Sequence, residues 1–323
     1  MPPVSSHGSR PKIIVIDDWD GIAGRSPAIA RLREHAEVNI LGRSDEGELV
    51  AAAQDASVII PIRERRQISS ALLTRLPALR HIAQTGGGIA HIDENAARAA
   101  GVTISRTGGA SAHSVAELAV AMMVASRRSL FSAQSSLSQG RWERPLGEQL
   151  AGSTLGVIGF GATGRLVATF GLALGMRVLV CSRRAVDGQI GDFPAAGLDE
   201  VCRTADVLSL HVELSQHTVG MIARPQLRAI GATGLLVNTA RAALIVENDL
   251  IDALDSGELG AAALDVFHRE PPDASDRLVS HPSVVALPHL GWRTNATMEA
   301  YLEGAVDNIM SWLNAGNHNE RAE

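Results

Sequence analysis

Short runs of apolar residues alternate along the chain with longer stretches in which apolar positions recur every three or four residues. In the first third the runs are Lys12 to Asp17 (KIIVID), Val38 to Leu41, Val58 to Pro61, His81 to Gln84 and Val102 to Ser105. Helical patterns lie between several of them, such as Ala71 to Leu76 and Asp93 to Ala100. From Leu155 the rhythm restarts more clearly, with Leu155 to Gly159, Arg177 to Cys181, Val207 to Val212, Leu235 to Thr239, Ala262 to Phe267 and Val284 to Leu287. These runs start 22, 30, 28, 27 and 22 residues apart. Near-continuous apolar strands at this spacing, with helix between them, predict βαβ units and a parallel sheet covered on both faces. The pattern predicts an α/β protein of two doubly wound parallel-sheet domains.

Between the two halves, Val115, Leu118, Ala119, Met122 and Met123 put an apolar stripe on one face of a helix spanning Ser114 to Leu130. Such a stripe serves either the core or a subunit interface, and both readings stay open. Ser132 to Gln149, with Gly140, Trp142, Pro145 and Gly147, is expected to be an irregular excursion. The last helical pattern, Met298 to Ala315, is expected to return to the first domain.

Composition narrows the class. A length of 323 residues suits two domains, and 46% hydrophobic with 20% charged residues excludes a disordered or fibrous chain. Lys plus Arg (29) against Asp plus Glu (35) gives −6, with no basic block, so nucleic acid is a poor partner. No apolar run approaches the ~20 residues that span a bilayer, so no membrane segment is expected. The opening MPPVSSHGSRP lacks the apolar core of a signal peptide and is expected to be a flexible leader. Two cysteines, Cys181 and Cys202, make neither a disulfide framework nor a zinc cluster, and a reducing cytoplasm is the default. No metal is expected, because the histidines lack paired ligand spacing.

Gly159-Phe160-Gly161-Ala162-Thr163-Gly164 is a GxGxxG run that follows an apolar strand and opens a helical segment. That is the context in which the motif binds a dinucleotide. The first glycine permits the tight turn, the second admits the pyrophosphate, and the third lets helix pack on strand. The next strand ends Cys181-Ser182-Arg183-Arg184. An acid here would accept hydrogen bonds from a ribose 2′-hydroxyl; Ser182 beside Arg183 and Arg184 suits a 2′-phosphate instead. NADP(H) is therefore favoured, with NAD(H) possible if the two arginines are only a solvated strand end.

In open α/β sheets ligands sit beyond the carboxyl ends of the strands. There the strand LLVNT runs into Arg241, AALDVF runs on to Glu270, and VVAL runs through Pro288 to His289. A cation, a carboxylate and a histidine thus leave one sheet on the side of the glycine loop. Each has a bland reading, as a surface arginine, a solvated turn residue and a satisfied histidine. There is no GxSxG elbow, and neither cysteine has a recognisable base, so nucleophilic hydrolysis is not the expected chemistry.

NTARAALIVENDLIDALDSGELGAAALDVFHREPP, followed by ALPHLGWRT, resembles the D-isomer-specific 2-hydroxyacid dehydrogenases, the family of the glyoxylate and hydroxypyruvate reductases and phosphoglycerate dehydrogenase. LAGSTLGVIGFGATGR, ADVLSLHVELSQHTVGMI, LPALRHIAQTGGGIAHIDENAARAAGVTI and SVAELAVAMM extend the resemblance over most of the chain. It implies a Rossmann cofactor domain (107–290) inserted into a flavodoxin-like substrate domain (1–106 and 291–323), and a homodimer formed through the cofactor domains. It implies that Arg241 binds a small 2-oxo acid, that His289 is the general acid in reduction, and that Glu270 orients His289 and favours its protonated form. It places Asp265 at the nicotinamide carboxamide, Ala162 and Thr163 at the pyrophosphate, and Val212, Thr218 and Thr239 along the cofactor. Backbone amides of Gly87 and Gly88 would hold the substrate carboxylate. Arg63 stands where a second substrate cation could act, or is a surface arginine.

The sequence departs from the family pattern at Ala242, Ala90, Ser111 and Glu213, where Gly, Asp, Asn and Pro are common. Several of these positions line the cleft that the resemblance implies, so an unusual substrate is expected. Two other functions fit the same fold: a nucleotide-sensing binding protein without turnover, and oxidation of another small anion such as formate or phosphite.

Overall fold

A computed structural model describes residues 10–273 and 275–319, so the expected leader lies almost wholly outside the described residues. Residues 10–110 with 293–319 form one compact unit and 111–292 another.

In the first unit the predicted strands form within a residue or so of their apolar runs: β1 (Lys12–Ile16), β2 (Glu37–Ile40), β3 (Val58–Pro61), β4 (His81–Gln84) and β5 (Thr103–Arg106). All pairings are parallel, in the order β2-β1-β3-β4-β5. This is the flavodoxin-like order, with its reversal between β1 and β3. The covering helices are α1 (Pro27–Arg33), α2 (Glu46–Ala53), α3 (Ser70–Thr74) and α4 (Glu94–Ala99). Their starts are written in the sequence: Ser26, Asp45, Ser69 and Asp93 each accept a first-turn amide, and Asp45 with Glu48 closes a capping box. Ile14, Ile16, Ile59, Leu72 and Ile82 form the buried centre.

The second unit begins with α5 (Ala112–Arg127) and α6 (Leu130–Ser138). Of the apolar stripe of α5, Ala119, Met122 and Met123 are buried in the core against the sheet, while Leu118 packs on it half-buried and Val115 is half-buried. The expected excursion from Ser132 is corrected, because α6 takes its first part and only 139–149 is irregular. Its Leu130, Phe131 and Leu137 are exposed, so α6 lacks the buried stripe that would have announced it.

Six parallel strands follow: β6 (Thr154–Ile158) and β7 (Arg177–Cys181), then, after the short antiparallel hairpin of β8 (Gln189–Ile190) and β9 (Phe193–Pro194), β10 (Val207–Leu210), β11 (Leu235–Asn238), β12 (Ala261–Leu264) and β13 (Val284–Ala286). The order is β13-β12-β11-β10-β6-β7, and Ala195 adds one parallel bridge to Val180 beyond β7. The strand order therefore reverses between β6 and β10, where a doubly wound sheet leaves its crevice. Alternate residues feed opposite faces. Leu155, Val157, Val207 and Val237 pack toward α5 and α7 (Ala162–Ala173). Ile158, Leu208, Leu210, Leu236 and Leu264 pack toward α8 (Leu198–Thr204), α9 (Arg224–Ile230) and α10 (Glu247–Asp255). That double burial is why the strands read as continuous apolar runs.

A four-residue helix, α11 (Arg277–Ser280), precedes β13, and the long α12 (Asn295–Asn319) returns to the first unit as expected. Glu299 accepts the amide of Ala28 at 3.0 Å, Arg31 pairs with Asp307 at 2.6 Å, and Trp312 stacks on His81. Among the described residues no helix is long and apolar enough to cross a membrane.

Candidate active site

The glycine loop turns directly off β6. Gly159 has φ +97°, and a Cβ there would meet the His211 carbonyl oxygen at 2.5 Å. A Cβ on Gly164 would run into the carbonyl oxygen of Gly159, so helix α7 sits hard against the strand end. At Gly161 nothing lies within 4 Å of the same position. Two of the glycines are required by protein packing, and the middle one faces open space that a ligand can enter. Ala162 and Thr163 begin α7, whose unpaired first-turn amides carry the positive end of the helix dipole. Val212 lies beside the turn. At the end of β11, Thr239 Oγ1 is buried with no hydrogen-bond partner among the described residues. The open cradle and the orphaned hydroxyl fit a dinucleotide. Thr218 is spent locally: its Oγ1 donates to the Glu213 carbonyl at 2.7 Å and accepts the Ser215 amide at 2.8 Å.

Beyond β7, Ser182 Oγ accepts the Arg184 amide at 3.2 Å. The Arg184 guanidinium donates to the Phe160 carbonyl, so it reaches from the β7 end to the glycine loop. Arg183 is exposed.

The three charged strand-end residues converge. His289 has φ +54°, an uncommon conformation for a residue with a Cβ. Two devices hold it there. Asp265, buried at the end of β12, accepts the Leu290 amide on Oδ1 at 2.7 Å and the Gly291 amide on Oδ2 at 2.8 Å. Glu270 Oε2 lies 2.7 Å from His289 Nδ1, while its Oε1 accepts the Phe267 amide at 3.0 Å. A carboxylate accepting at Nδ1 favours the proton there and leaves Nε2 uncommitted to Glu270. Arg241 leads a short turn over Ala242–Leu244, and the Asn238 side chain braces it, accepting the Ala240 amide at 3.0 Å and donating to the Arg241 carbonyl at 2.9 Å. The Arg241 side chain is exposed, and its charge acts on Glu270.

Burial, the largest single influence, pushes the Glu270 carboxyl up. The hydrogen bonds from His289 and the Phe267 amide, with the charges of His289 and Arg241, outweigh it and hold Glu270 below the ordinary 4.5. Asp265 goes the other way: burial raises it, and the two amides offset this only in part.

The remaining predicted residues lie in the first unit. Gly87 is exposed and Gly88 half-buried, just past β4. Arg63, just past β3, has φ +62°, and its guanidinium lies over the Tyr301 ring, 5.0 Å from the centroid. Glu64 lies across Gly88, a placement with no signal in the sequence beyond one acid in a basic run. His91 is buried, neither ring nitrogen has a hydrogen-bond partner among the described residues, and burial lowers it.

Residues 120–291 match the family model described as D-isomer specific 2-hydroxyacid dehydrogenase, NAD binding domain. The D-3-phosphoglycerate dehydrogenase of Methanocaldococcus jannaschii is 34% identical over 90% of this chain and 55% of its own length. The hydroxypyruvate reductase of Thermotoga maritima is 36% identical over 77% of this chain and 82% of its own. The chain thus spans about half the length of the first relative and most of the second. Among solved structures, a phosphoglycerate oxidoreductase from Vibrio cholerae superposes with TM-score 0.81 at 32% identity, covering 95% of this chain and 100% of that one. An NADPH-dependent glyoxylate/hydroxypyruvate reductase from Sinorhizobium meliloti, solved with NADP and malonate, superposes with TM-score 0.77 at 29% identity, covering 94% of each chain.

Proposed function

The chain belongs to the D-isomer-specific 2-hydroxyacid dehydrogenases, and from that premise we propose that it reduces a small 2-oxo acid to the D-2-hydroxy acid, with NADPH as the preferred donor. The observation that carries this reading is the 2.7 Å contact of Glu270 with His289, which lies beyond the same strand ends as the open glycine cradle.

Gly159, Gly161, Ala162, Thr163 and Gly164 would hold the pyrophosphate, and Val212, Thr218, Thr239 and Asp265 would lie along the rest of the dinucleotide. When bound, that group supplies the hydride that reaches the substrate's carbonyl carbon. Arg241 engages the substrate's carboxylate and polarises its carbonyl oxygen. His289 gives its Nε2 proton to that oxygen as negative charge develops there, and takes it back in the oxidation direction. Glu270 accepts at Nδ1 and keeps the ring in this one orientation. Asp265 fixes the backbone that follows the ring. Gly87, Gly88 and Arg63, in the first unit, are the other residues that the resemblance assigns to the substrate.

Ser182, Arg183 and Arg184 support NADP(H): the hydroxyl and two guanidiniums suit a 2′-phosphate, and no acid ends β7. Phe131, Leu137 and Trp142, which line one surface hollow, are 53%, 53% and 77% exposed, and this apolar surface supports a homodimer. Free Cys181 and Cys202 suit the cytoplasm.

The test is the rate of NADPH and NADH oxidation by the purified chain with glyoxylate, hydroxypyruvate, pyruvate and bulkier 2-oxo acids. Turnover preferring NADPH supports the whole reading. Turnover preferring NADH keeps the reaction and removes the role given to the arginines. Tight cofactor binding with no turnover of any acid favours a sensor.

A further inference from the structure

Asn238, the last residue of β11, is fully buried, and its side chain bonds on both sides of the step into Arg241. Oδ1 accepts the Ala240 amide at 3.0 Å, and Nδ2 donates to the Arg241 carbonyl at 2.9 Å. The first bond fixes the peptide plane between Thr239 and Ala240, the second the plane between Arg241 and Ala242. The guanidinium folds back on the plane between these two, with Arg241 Nη1 donating to the Ala240 carbonyl at 2.7 Å. The main-chain carbonyl of Asn238 accepts the Asp265 amide at 3.0 Å, and the Asp265 carboxylate holds the backbone after His289. One strand-end residue thus carries the turn of the arginine and is tied to the support of the histidine.

The far half of the turn stands without this side chain. The Ala243 and Leu244 carbonyls accept the Gly220 and Ile222 amides at 2.8 and 3.0 Å, and the Val246 amide donates to the Ile222 carbonyl at 2.9 Å. Leu244 and Ile245 are buried in the core. On the near side, β11 is fixed by its parallel pairing with β10 and β12. Residues 239–241 are the part that the Asn238 side chain holds. The position asks for one acceptor and one donor on a short planar group. An ionised Asp has no donor, Gln is a methylene longer, and Ser carries a single oxygen.

We propose that Asn238 is a positioning residue for the reaction: its side chain sets where the Arg241 guanidinium stands, and it acts on catalysis through Arg241. The proposal deepens the reading above and rests on Arg241 engaging the 2-oxo acid. Arg241 is exposed, so the turn beneath it, rather than packing around it, fixes its place. A guanidinium that has to meet a carboxylate and a carbonyl oxygen together tolerates little error, and a displacement of about 1 Å costs up to ~100-fold in rate.

A double-mutant cycle tests it, with kcat/KM for glyoxylate, hydroxypyruvate and pyruvate measured in the wild type, Asn238→Ala, Arg241→Lys and the double variant. Asn238→Ala should lower kcat/KM about 10- to 100-fold in the wild-type background. In the Arg241→Lys background, where no guanidinium is left to aim, the same change should cost less than about threefold. Equal losses in both backgrounds mark a general structural role and overturn the proposal, as does an unchanged kcat/KM in Asn238→Ala. Should Asn238→Ala not fold, Asn238→Ser, which keeps a hydroxyl in the buried site, carries the same cycle. Hydrogen exchange gives a readout without substrate. The Ala240 amide should exchange about tenfold or more faster in the variant, while the Gly220 and Ile222 amides keep their wild-type rates. Faster exchange at all three marks general loosening and overturns the proposal. If the wild type reduces none of the acids, the reductase reading fails; faster exchange confined to Ala240 then still supports the hold of Asn238 on the turn, and unchanged exchange overturns it.

Discussion

Glu270 grips His289 with one carboxylate oxygen and its own loop with the other: Oε2 is 2.7 Å from His289 Nδ1, and Oε1 accepts the Phe267 amide at 3.0 Å. A carboxylate used on both sides is a rigid prop, and its charge faces the ring to which the proposed mechanism gives the proton transfer. Glu270→Gln keeps the shape and removes the charge. We expect kcat to fall about 10- to 100-fold with little change in KM, because the contribution belongs to the proton-transfer step. The pH dependence of stability follows in sign. The native carboxyl lies below the ordinary 4.5, so its stabilising contribution is complete above that value and is lost as pH falls through the lower native one. Urea midpoints measured from pH 3 to 6 should therefore fall less steeply for the variant than for the wild type. Equal slopes would remove the charge from the account.

His289 stands at φ +54°, where asparagine is among the more tolerant side chains. His289→Asn thus removes the imidazole without forcing the loop. The expected result is a loss of about 10²–10⁴-fold in kcat with a far-UV spectrum and Tm close to wild type. Retained turnover in the folded variant would falsify the proton-transfer role.

Most of this three-residue cluster could be read before the fold was known. Arg241, Glu270 and His289 each follow an apolar strand, and a parallel sheet sends all such ends to one side, so order along the chain sufficed. What Asp265 touches could not be read that way. Its hold on Leu290 and Gly291 joins residues 25 and 26 apart and depends on how β12 and β13 pair. Glu64 was illegible for another reason. One acid among three arginines looks like a solvated run, and only the ion pairs that turn the arginines inward make it the outward group. Helix α6 escaped because its apolar residues stay exposed, which leaves no buried stripe to detect.

The proposed preference for NADPH rests on a short segment. Ser182 and Arg184 are linked at 3.2 Å, and Arg184 reaches the Phe160 carbonyl. Arg184→Ala should lower kcat/KM for NADPH about 10- to 100-fold while leaving NADH within a few-fold, since a guanidinium–phosphate bond is made with only one of them. Ser182→Asp should go further and favour NADH, because the new carboxylate repels a 2′-phosphate and accepts from a 2′-hydroxyl. Initial rates with both donors at saturating 2-oxo acid decide the matter, and an unchanged donor ratio in both variants sinks the assignment.

His81 is a buried histidine far from this chemistry in the sequence. Its ring nitrogens lie 2.7 Å from Thr103 Oγ1 and 2.9 Å from Ser105 Oγ, and its face stacks on Trp312 at 5.2 Å. Burial lowers it from 6.5 to about 4. The unfolded chain therefore binds a proton between these values that the native chain refuses. The stabilising contribution is complete above pH 6.5 and is lost as pH falls toward 4, about 3 kcal/mol in all. Half-buried His211, also lowered to about 4 by desolvation, acts in the same direction. Denaturant melts between pH 7 and 4 should show His81→Gln losing stability less steeply than wild type, though from a lower starting point. Parallel curves would mean that His81 is not the group that titrates.

The exposed face of α6 and the loop after it carries the prediction about assembly. Phe131, Leu137 and Trp142 are each more than half exposed, and Leu146 is fully so. Isolated apolar side chains at a surface are ordinary, but Leu130, Phe131, Leu137 and Trp142 line one surface hollow, a concentration that monomers seldom leave open. Burial of such side chains contributes roughly 1.5–3 kcal/mol each, enough to favour association. Light scattering on the eluting wild-type chain should give twice the 34.0 kDa chain mass. Leu137→Glu combined with Trp142→Glu should give the single-chain mass, because two charges replace the apolar contact at no cost to the interior. A wild type that elutes at 34.0 kDa at micromolar concentration removes the dimer. A double variant that stays dimeric moves the interface elsewhere.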